Sequence, residues 1–264
     1  MSQIIFLGTG GGKNILASQL RSTAGIVIRT DNDQIHLDPG PGALIKSKTF
    51  GVDPLKTNII LLSSRNLDHC NDANVLMHIM TNKCNKKNGH LIANPGFSDS
   101  SILNKKQIEW LDRVVFIEPN MKIKHNDIEI VATETKTNDE KAVGFKIYTK
   151  DFVLGYTSDT DYLAKIAKSY EDVNILIINA LKPMYKPIKG HLCSGKITSM
   201  LSKIRPKLAV LTHFGTEMIN SNPLYEAREI QKSTGVQTIV AHDGMVIDPR
   251  SYSVKIKQKN LNSF

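Results

Sequence analysis

Only three cysteines occur in 264 residues, Cys70, Cys84 and Cys193. None forms a Cys-x-x-Cys pair and the number is odd, which argues against a disulfide framework and makes a reducing cytoplasm the expected location. Long apolar runs are also missing. None approaches the roughly 20 residues of a membrane helix, so no membrane association is expected. The opening stretch "MSQIIFLGTGGG" has no basic residues before its apolar ones and breaks into glycines, so it reads as a first strand rather than a signal peptide. There is no internal repeat, no low-complexity tract and no Pro/Gly/Ser linker, and one continuous domain over 1–264 is the expectation. No histidine lies between His125 and His191, an absence that matters below.

Hydrophobic residues make up 41% and charged residues 22%, the balance of an ordinary soluble globular chain. Net charge is +9, which favours an anionic partner such as RNA or a phosphorylated small molecule. The lysines are spread over the chain, however, and scattered lysine serves equally as a solvated surface. Short β-branched runs bounded by turn residues predict strands over 4–8, 25–30, 34–38, 58–63, 89–94, 113–118, 128–133, 144–149, 152–157, 174–179, 207–213 and 238–242. Helices are predicted over 72–80, 104–113, 194–204 and 222–235, the last with Pro223 just inside its start and Gly235 past its end. Strand-rich first half and strand-helix second half together suggest an α/β fold, two sheets packed together with helices outside.

Several predicted strands run into residues that could hold a metal. "NIILLS" leads to Asp68-His69, "FVLGYTSDT" to Asp159 and "KLAVLTHFG" to His213. Two imidazoles and two carboxylates suit Zn²⁺ or a neighbouring divalent transition metal. Each residue alone is weak evidence; their order and spacing carry the argument.

That order resembles the metallo-β-lactamase fold family over nearly the whole chain. "IIFLGTGGG" is similar to the family's first strand and glycine turn, and "HLDPGPGAL" to its third strand, where the resemblance makes Asp38 a supporting or structural residue. "GYTSDTD" resembles the strand carrying the bridging aspartate, "LAVLTHFG" the strand carrying the last histidine, and "AHDGMVIDP" a terminal strand. The "GHLCSGK" segment ahead of His213 is similar to that of ribonuclease Z-type and related single-domain hydrolases. The resemblance implies a four-layer αββα sandwich and a metal-dependent hydrolase.

The chain departs from that pattern at one place. The family signature Thr-His-x-His-x-Asp-His is here "SSRNLDH", with Ser64 and Asn66 standing where the first two histidines belong. By spacing from Gly144, a third histidine's place falls at Thr137. In the family these three positions carry the ligands exclusive to the first metal, so the resemblance implies that Ser64, Asn66 and Thr137 leave that site vacant. Asp68, His69 and His213 match the ligands of the second, and Asp159 the residue that bridges both.

Three readings follow. The first is a hydrolase holding one divalent metal, zinc with manganese or iron as alternatives, on Asp68, His69, Asp159 and His213. In it Asp68 and His191 take part in catalysis, His191 as general acid or as a clamp on an anionic group, and the substrate is a phosphoester, nucleic acid, lactone or thioester. The second is an inactive member acting as a binding, regulatory or partner subunit. The third rebuilds the first metal site from Asp139, Glu134, Cys70 or Asp72. The stretch from His69 to Thr137 has no long insertion to act as an RNA-gripping arm, so transfer-RNA 3′-end processing is not expected. A homodimer is an open expectation.

Overall fold

The computed structural model describes residues 2–255. The chain first lays down β1 (Gln3–Phe6), β2 (Ile26–Arg29), β3 (Gln34–Leu37), β4 (Ile59–Leu62), β5 (His90–Ala93) and β6 (Arg113–Phe116). It then builds β7 (Lys122–His125), β8 (Ile128–Glu134), β9 (Val143–Tyr148), β10 (Val153–Tyr156), β11 (Ile175–Lys182), the two-residue β12 (Leu192–Cys193), β13 (Leu208–Thr212) and β14 (Thr238–Val240). Finally β15 (Val246–Asp248) and β16 (Ser253–Lys255) return to the first sheet beside β1. One sheet runs in the order β16-β15-β1-β2-β3-β4-β5-β6 and the other β14-β13-β11-β10-β9-β8-β7, with β12 paired to β11.

Strand parity explains the layering. Along β4, Ile59 and Leu61 enter the core between the sheets, while Ile60 and Leu62 point the other way and pack with Ala73, Leu76 and Met77. Along β11, Ile175 and Ile177 face the first sheet; Leu176 and Ile178 face Ile197, Met200 and Leu201. Strands buried on both faces read as unbroken apolar runs, and each outer face needs a helix to cover it. Those covers are α1 (Lys13–Ser18), α2 (Ala43–Thr49), α3 (Leu67–Cys70), α4 (Ala73–Met80) and α5 (Lys105–Ile108) in the first half. In the second half they are α6 (Ala164–Lys168), α7 (Ser194–Ile204), α8 (Thr216–Asn220) and α9 (Pro223–Thr234). The result is the αββα sandwich the resemblance implies.

The helix predicted over 104–113 is one turn only, Lys105–Ile108. The chain must leave it early to set β6 beside β5. Trp110 O accepts from Asn88 N and the Asp112 carboxylate accepts from Gly89 N at 2.9 Å, tying that segment to the loop that starts β5. By contrast α7 and α9 form as predicted. The Asn222 side chain caps Leu224 N, and Gly235 takes the left-handed conformation (φ 70°) that ends α9.

The parallel strands β3-β4-β5-β6 and β10-β11-β13-β14 need long crossovers. Their carboxyl ends collect at one rim of the sandwich, the place where α/β sheets bind ligands. Among the described residues no helix is long and apolar enough to cross a membrane.

His36 sits in β3 between Val27 and Ile60 and is buried, with Nε2 lacking any hydrogen-bond partner. Burial, and secondarily Arg29, push its pKa down from 6.5 to about 3. The unfolded chain therefore takes up a proton that the folded chain refuses. Stability falls as pH drops below about 6.5, by about 1.4 kcal/mol per pH unit. Denaturant unfolding of the wild type and His36→Leu between about pH 6 and about pH 4.5 checks this: the difference between the two should change with that slope, and a pH-independent difference refutes it.

Candidate metal centre

The apolar run of β4 ends at Ser63, and the turn Ser64–Asn66 leads into α3, which carries Asp68 and His69. Directly after β3, Asp38 adopts a left-handed backbone (φ 49°) that aims its carboxylate back into the sandwich. That carboxylate takes four donors. Ser63 N donates to Oδ1 at 2.7 Å, and Ser63 Oγ and the Tyr156 hydroxyl donate to Oδ2 at 2.5 and 2.7 Å. His69 Nδ1 is the fourth, 2.8 Å from Oδ2. A carboxylate can only accept, so Nδ1 of His69 carries a proton and Nε2 is the nitrogen turned into the site, whose own proton a metal ion would displace.

Nε2 of His69 lies 3.4 Å from Asp159 Oδ2 and has no hydrogen-bond partner although it is buried. Asp159 follows β10 through Ser158, another left-handed residue (φ 53°), and its Oδ1 accepts from Asn179 Nδ2 of β11 at 2.9 Å. His213, first residue past β13 and also left-handed (φ 58°), stands between the two carboxylates. Its Nδ1 is 3.4 Å from Asp159 Oδ1 and its Nε2 3.3 Å from Asp68 Oδ2. Both ring nitrogens are buried without a hydrogen-bond partner. The ring lies so close to the glycine turn that a Cβ on Gly11 would sit 2.1 Å from Nδ1, which is why glycine stands there. Gly12 N donates to Asp68 Oδ2 at 2.8 Å.

Asp68, His69 and His213 present ligand atoms all within 4.8 Å of one another, the one such group of three or more among the described residues. Asp159 lies outside that triad but 3.4 Å from each of its imidazoles. Burial would raise the carboxyl pKa values of Asp68 and Asp159. The facing His69 and His213 outweigh it and hold both well below the ordinary carboxylate range. Burial would likewise strip the proton from His69, but the carboxylates of Asp38, Asp159 and Asp68 raise its pKa well above the ordinary value. Ionised carboxylates facing buried, unpartnered imidazole nitrogens form the donor set of a divalent metal, so the residues present fit the ion the sequence implies.

His191, just ahead of β12, points Nδ1 at Asp159 Oδ1 from 3.8 Å, buried and without a hydrogen-bond partner. Burial lowers its pKa, and the charges of His213 and His69 lower it further against the opposing pull of Asp159.

The other half of the expected pair is different. Ser64 is fully buried and its Oγ donates to Asp139 Oδ2 at 3.3 Å. Asn66 is exposed, its backbone N–H donating to Ser64 Oγ at 3.2 Å. Thr137 packs beside Gly190, its Cα 3.4 Å from where a Cβ on that glycine would be. Each of the four residues named above as substitutes for this half is engaged elsewhere. Asp139 pairs with Arg65 at 2.7 Å, Glu134 with Lys165 at 2.5 Å, and Asp72 accepts from Gly42 N at 3.0 Å. Cys70 donates to Asn66 O, and burial pushes its thiol pKa up to about 12. Tyr156, Asn179, Arg65 and the backbone N–H of Gly12 were not legible as site residues. Only the glycine turn left a trace, in "GTGGG".

Residues 33–214 match the family model described as the β-lactamase superfamily domain. A protein of Methanocaldococcus jannaschii, described as uncharacterised, is 32% identical over 253 residues, covering 93% of this chain and 94% of its own. Among solved structures, the metallo-β-lactamase fold protein YhfI from Bacillus subtilis superposes with a TM-score of 0.77 at 17% identity, over 93% of this chain and 98% of that one. The short form of human tRNase Z superposes at 0.69 and 15% identity, over 93% and 98%. At such identities the two structures speak to the fold alone.

The Asp38 carboxylate orients His69 from behind, and losing such support typically weakens metal binding 10- to 100-fold. Asp38→Asn should therefore weaken zinc affinity by about that factor in chelator competition; an unchanged affinity would show that Asp38 serves the fold only.

Proposed function

The chain belongs to the β-lactamase superfamily, whose members are mainly metal-dependent hydrolases, and from that premise we propose that it is a hydrolase working with a single divalent metal. Asp68, His69, Asp159 and His213 would hold the ion, with zinc the first choice and manganese or iron the alternatives. The carrying observation is the buried nitrogens of His69 and His213, which have no hydrogen-bond partner and lie within 3.4 Å of ionised carboxylates. When bound, a divalent ion supplies the Lewis acidity that acidifies water and polarises an ester.

The chain's own residues do the rest. Asp38 holds His69 in one tautomer. Asn179 and Gly12 hold one oxygen each of Asp159 and Asp68. Solvent reaches the site past Asp68, His213 and His191, whose side chains are 10%, 9% and 18% exposed. His191 stands on that open side with Nδ1 facing inward, where it can take a proton from attacking water or pass one to a leaving oxygen. Net charge of +9 supports an anionic substrate, a phosphoester in a small molecule or in RNA. Lactone and thioester cleavage need the same parts. Residues 70–134 run through α4, β5, α5, β6, β7 and β8 as layers of the sandwich, which supports no role in gripping transfer RNA. The cytoplasm is the proposed location.

Metal content decides between this reading and an inactive binding protein. About one ion per chain, lost in Asp159→Ala, is the expected result; a wild type that neither retains nor rebinds metal would overturn it. Hydrolysis of bis-p-nitrophenyl phosphate should drop more than about 100-fold in Asp68→Ala, beyond the effect of a supporting residue. Activity persisting in that variant would place the site elsewhere.

A further inference from the structure

The half of the site that has no metal ligands is not empty. Asp139 has only 6% of its side chain exposed, and its carboxylate is saturated with donors. Oδ2 accepts from Arg65 N at 2.9 Å and Ser64 Oγ at 3.3 Å. Oδ1 accepts from Arg65 Nη2 at 2.7 Å, Arg65 Nε at 3.2 Å and Lys141 N at 3.4 Å. The Arg65 guanidinium lies against Gly96, where a Cβ would come within 2.7 Å of Nε. One residue of the signature turn therefore grips one residue of the β8–β9 loop by main chain and side chain at once.

That loop, 135–142, touches the structures around the metal centre on its other sides. Lys136 N donates to Thr160 Oγ1 at 2.9 Å, and Asp161 N donates to Lys136 O at 2.7 Å, joining it to the turn that presents Asp159. Thr137 packs on Gly190, the neighbour of His191, and Gly190 N reaches back to Asp161 Oδ2 at 3.4 Å. Val143 N donates to Ser63 O at 3.0 Å, beside the Asp38 network. A metal bound by the signature turn, the β8–β9 loop and Asp159 would join these three segments.

We propose that the Arg65–Asp139 ion pair takes over that joining role. It is a positioning clamp that holds the β8–β9 loop between the signature turn and the Asp159 turn, and through Lys136 and Thr137 it keeps Asp159 and His191 in register with the remaining metal ligands. The effect on the metal rests on the one-metal reading; the clamping of the loop does not. The clamp has a chemical corollary. A carboxylate already neutralised and fully hydrogen-bonded offers nothing to a second ion, so the site stays mononuclear even in excess metal.

The experiment is a double-mutant cycle on the full chain with Arg65→Met, Asp139→Asn and the pair combined. Zinc affinity is read by chelator competition and amide hydrogen exchange across 135–142 by mass spectrometry. Each single variant should speed exchange in that loop at least about 10-fold and weaken zinc affinity about 10-fold, the lower range for a supporting residue. The double variant should be no worse than either single one. Arg65→Lys, which keeps the charge but loses the fork, should fall between wild type and Arg65→Met, and it serves if the others fail to fold. Unchanged exchange, or effects that add in the double variant, would overturn the clamp. Faster exchange with unchanged zinc affinity would confine the pair to stabilising the loop and overturn its positioning role. A wild type without metal would refute the one-metal reading, and the exchange arm would still decide whether the loop is clamped.

Discussion

The Asp38 carboxylate is the constraint on which the site depends. It sits between the two sheets at the end of β3 and takes donors from the end of β4, from α3 and from β10. A buried charge is tolerated only when hydrogen bonds replace the water it has lost, and four are supplied here. The consequence is geometric. Ser63 cannot shift without breaking two of those bonds, Tyr156 pins the second sheet to the first, and His69 is left with one orientation. Everything the α3 turn presents to the rim inherits its position from that carboxylate. The left-handed backbone at Asp38, Ser158 and His213 belongs to the same arrangement. Strained residues gather where surrounding structure over-determines them, and here all three flank or carry a site side chain.

Charge divides the rim into two unlike halves. Around His69 and His213, the carboxylates of Asp38, Asp68 and Asp159 form a buried acidic patch that calls for a cation. Around Ser64 and Thr137, the acidic side chains of Asp139 and Asp161 are each already matched by a cation, Arg65 and Lys196. A divalent ion is attracted to the first half and finds no net charge in the second. Asymmetry of this kind argues against a two-metal site whose ligands have merely been exchanged, since Asp139, Glu134, Asp72 and Cys70 are each committed to another partner. It also bears on reactivity. Two carboxylates would neutralise a divalent ion more fully than three imidazoles, so the Lewis acidity it would supply there is weaker and the surrounding proton acceptors would carry more of the work.

Much of this was legible in the sequence, and what was legible shares a cause. Strands buried on both faces declare themselves as apolar runs, and the predicted ones all appear. Helices with full turns, α7 and α9, show their periodicity and caps. The candidate ligands stand out because Asp68-His69, Asp159 and His213 each come shortly after such a run. One- and two-turn helices such as α1, α3, α6 and α8 are too short to show a period, and the helix over 104–113 was overextended because an amphipathic stretch does not reveal that Asp112 is needed to start β6. The supporting groups were hidden for a different reason. Tyr156 reaches Asp38 across 118 residues and Arg65 reaches Asp139 across 74. Nothing local in either sequence neighbourhood requires the partner, so only the folded arrangement discloses the pair.

Arg65 shows why reading a signature position by position falls short. The two positions where histidine is missing draw attention to Ser64 and Asn66, yet the residue between them does the most in the fold. Ser64 is small enough to be fully buried and polar enough to help hold Asp139; Asn66 is exposed and precedes α3 without capping it by its side chain. A larger residue at position 64 would displace the carboxylate that Arg65 grips. Ser64 and Asn66 are thus compatible with one another and with Asp139, as the proposed clamp requires. A metal ion draws its ligands together from any direction, whereas an ion pair must be built from two side chains of fixed reach. In the proposed one-metal reading, the joining that a second ion would provide comes from a contact between two particular residues, Arg65 and Asp139.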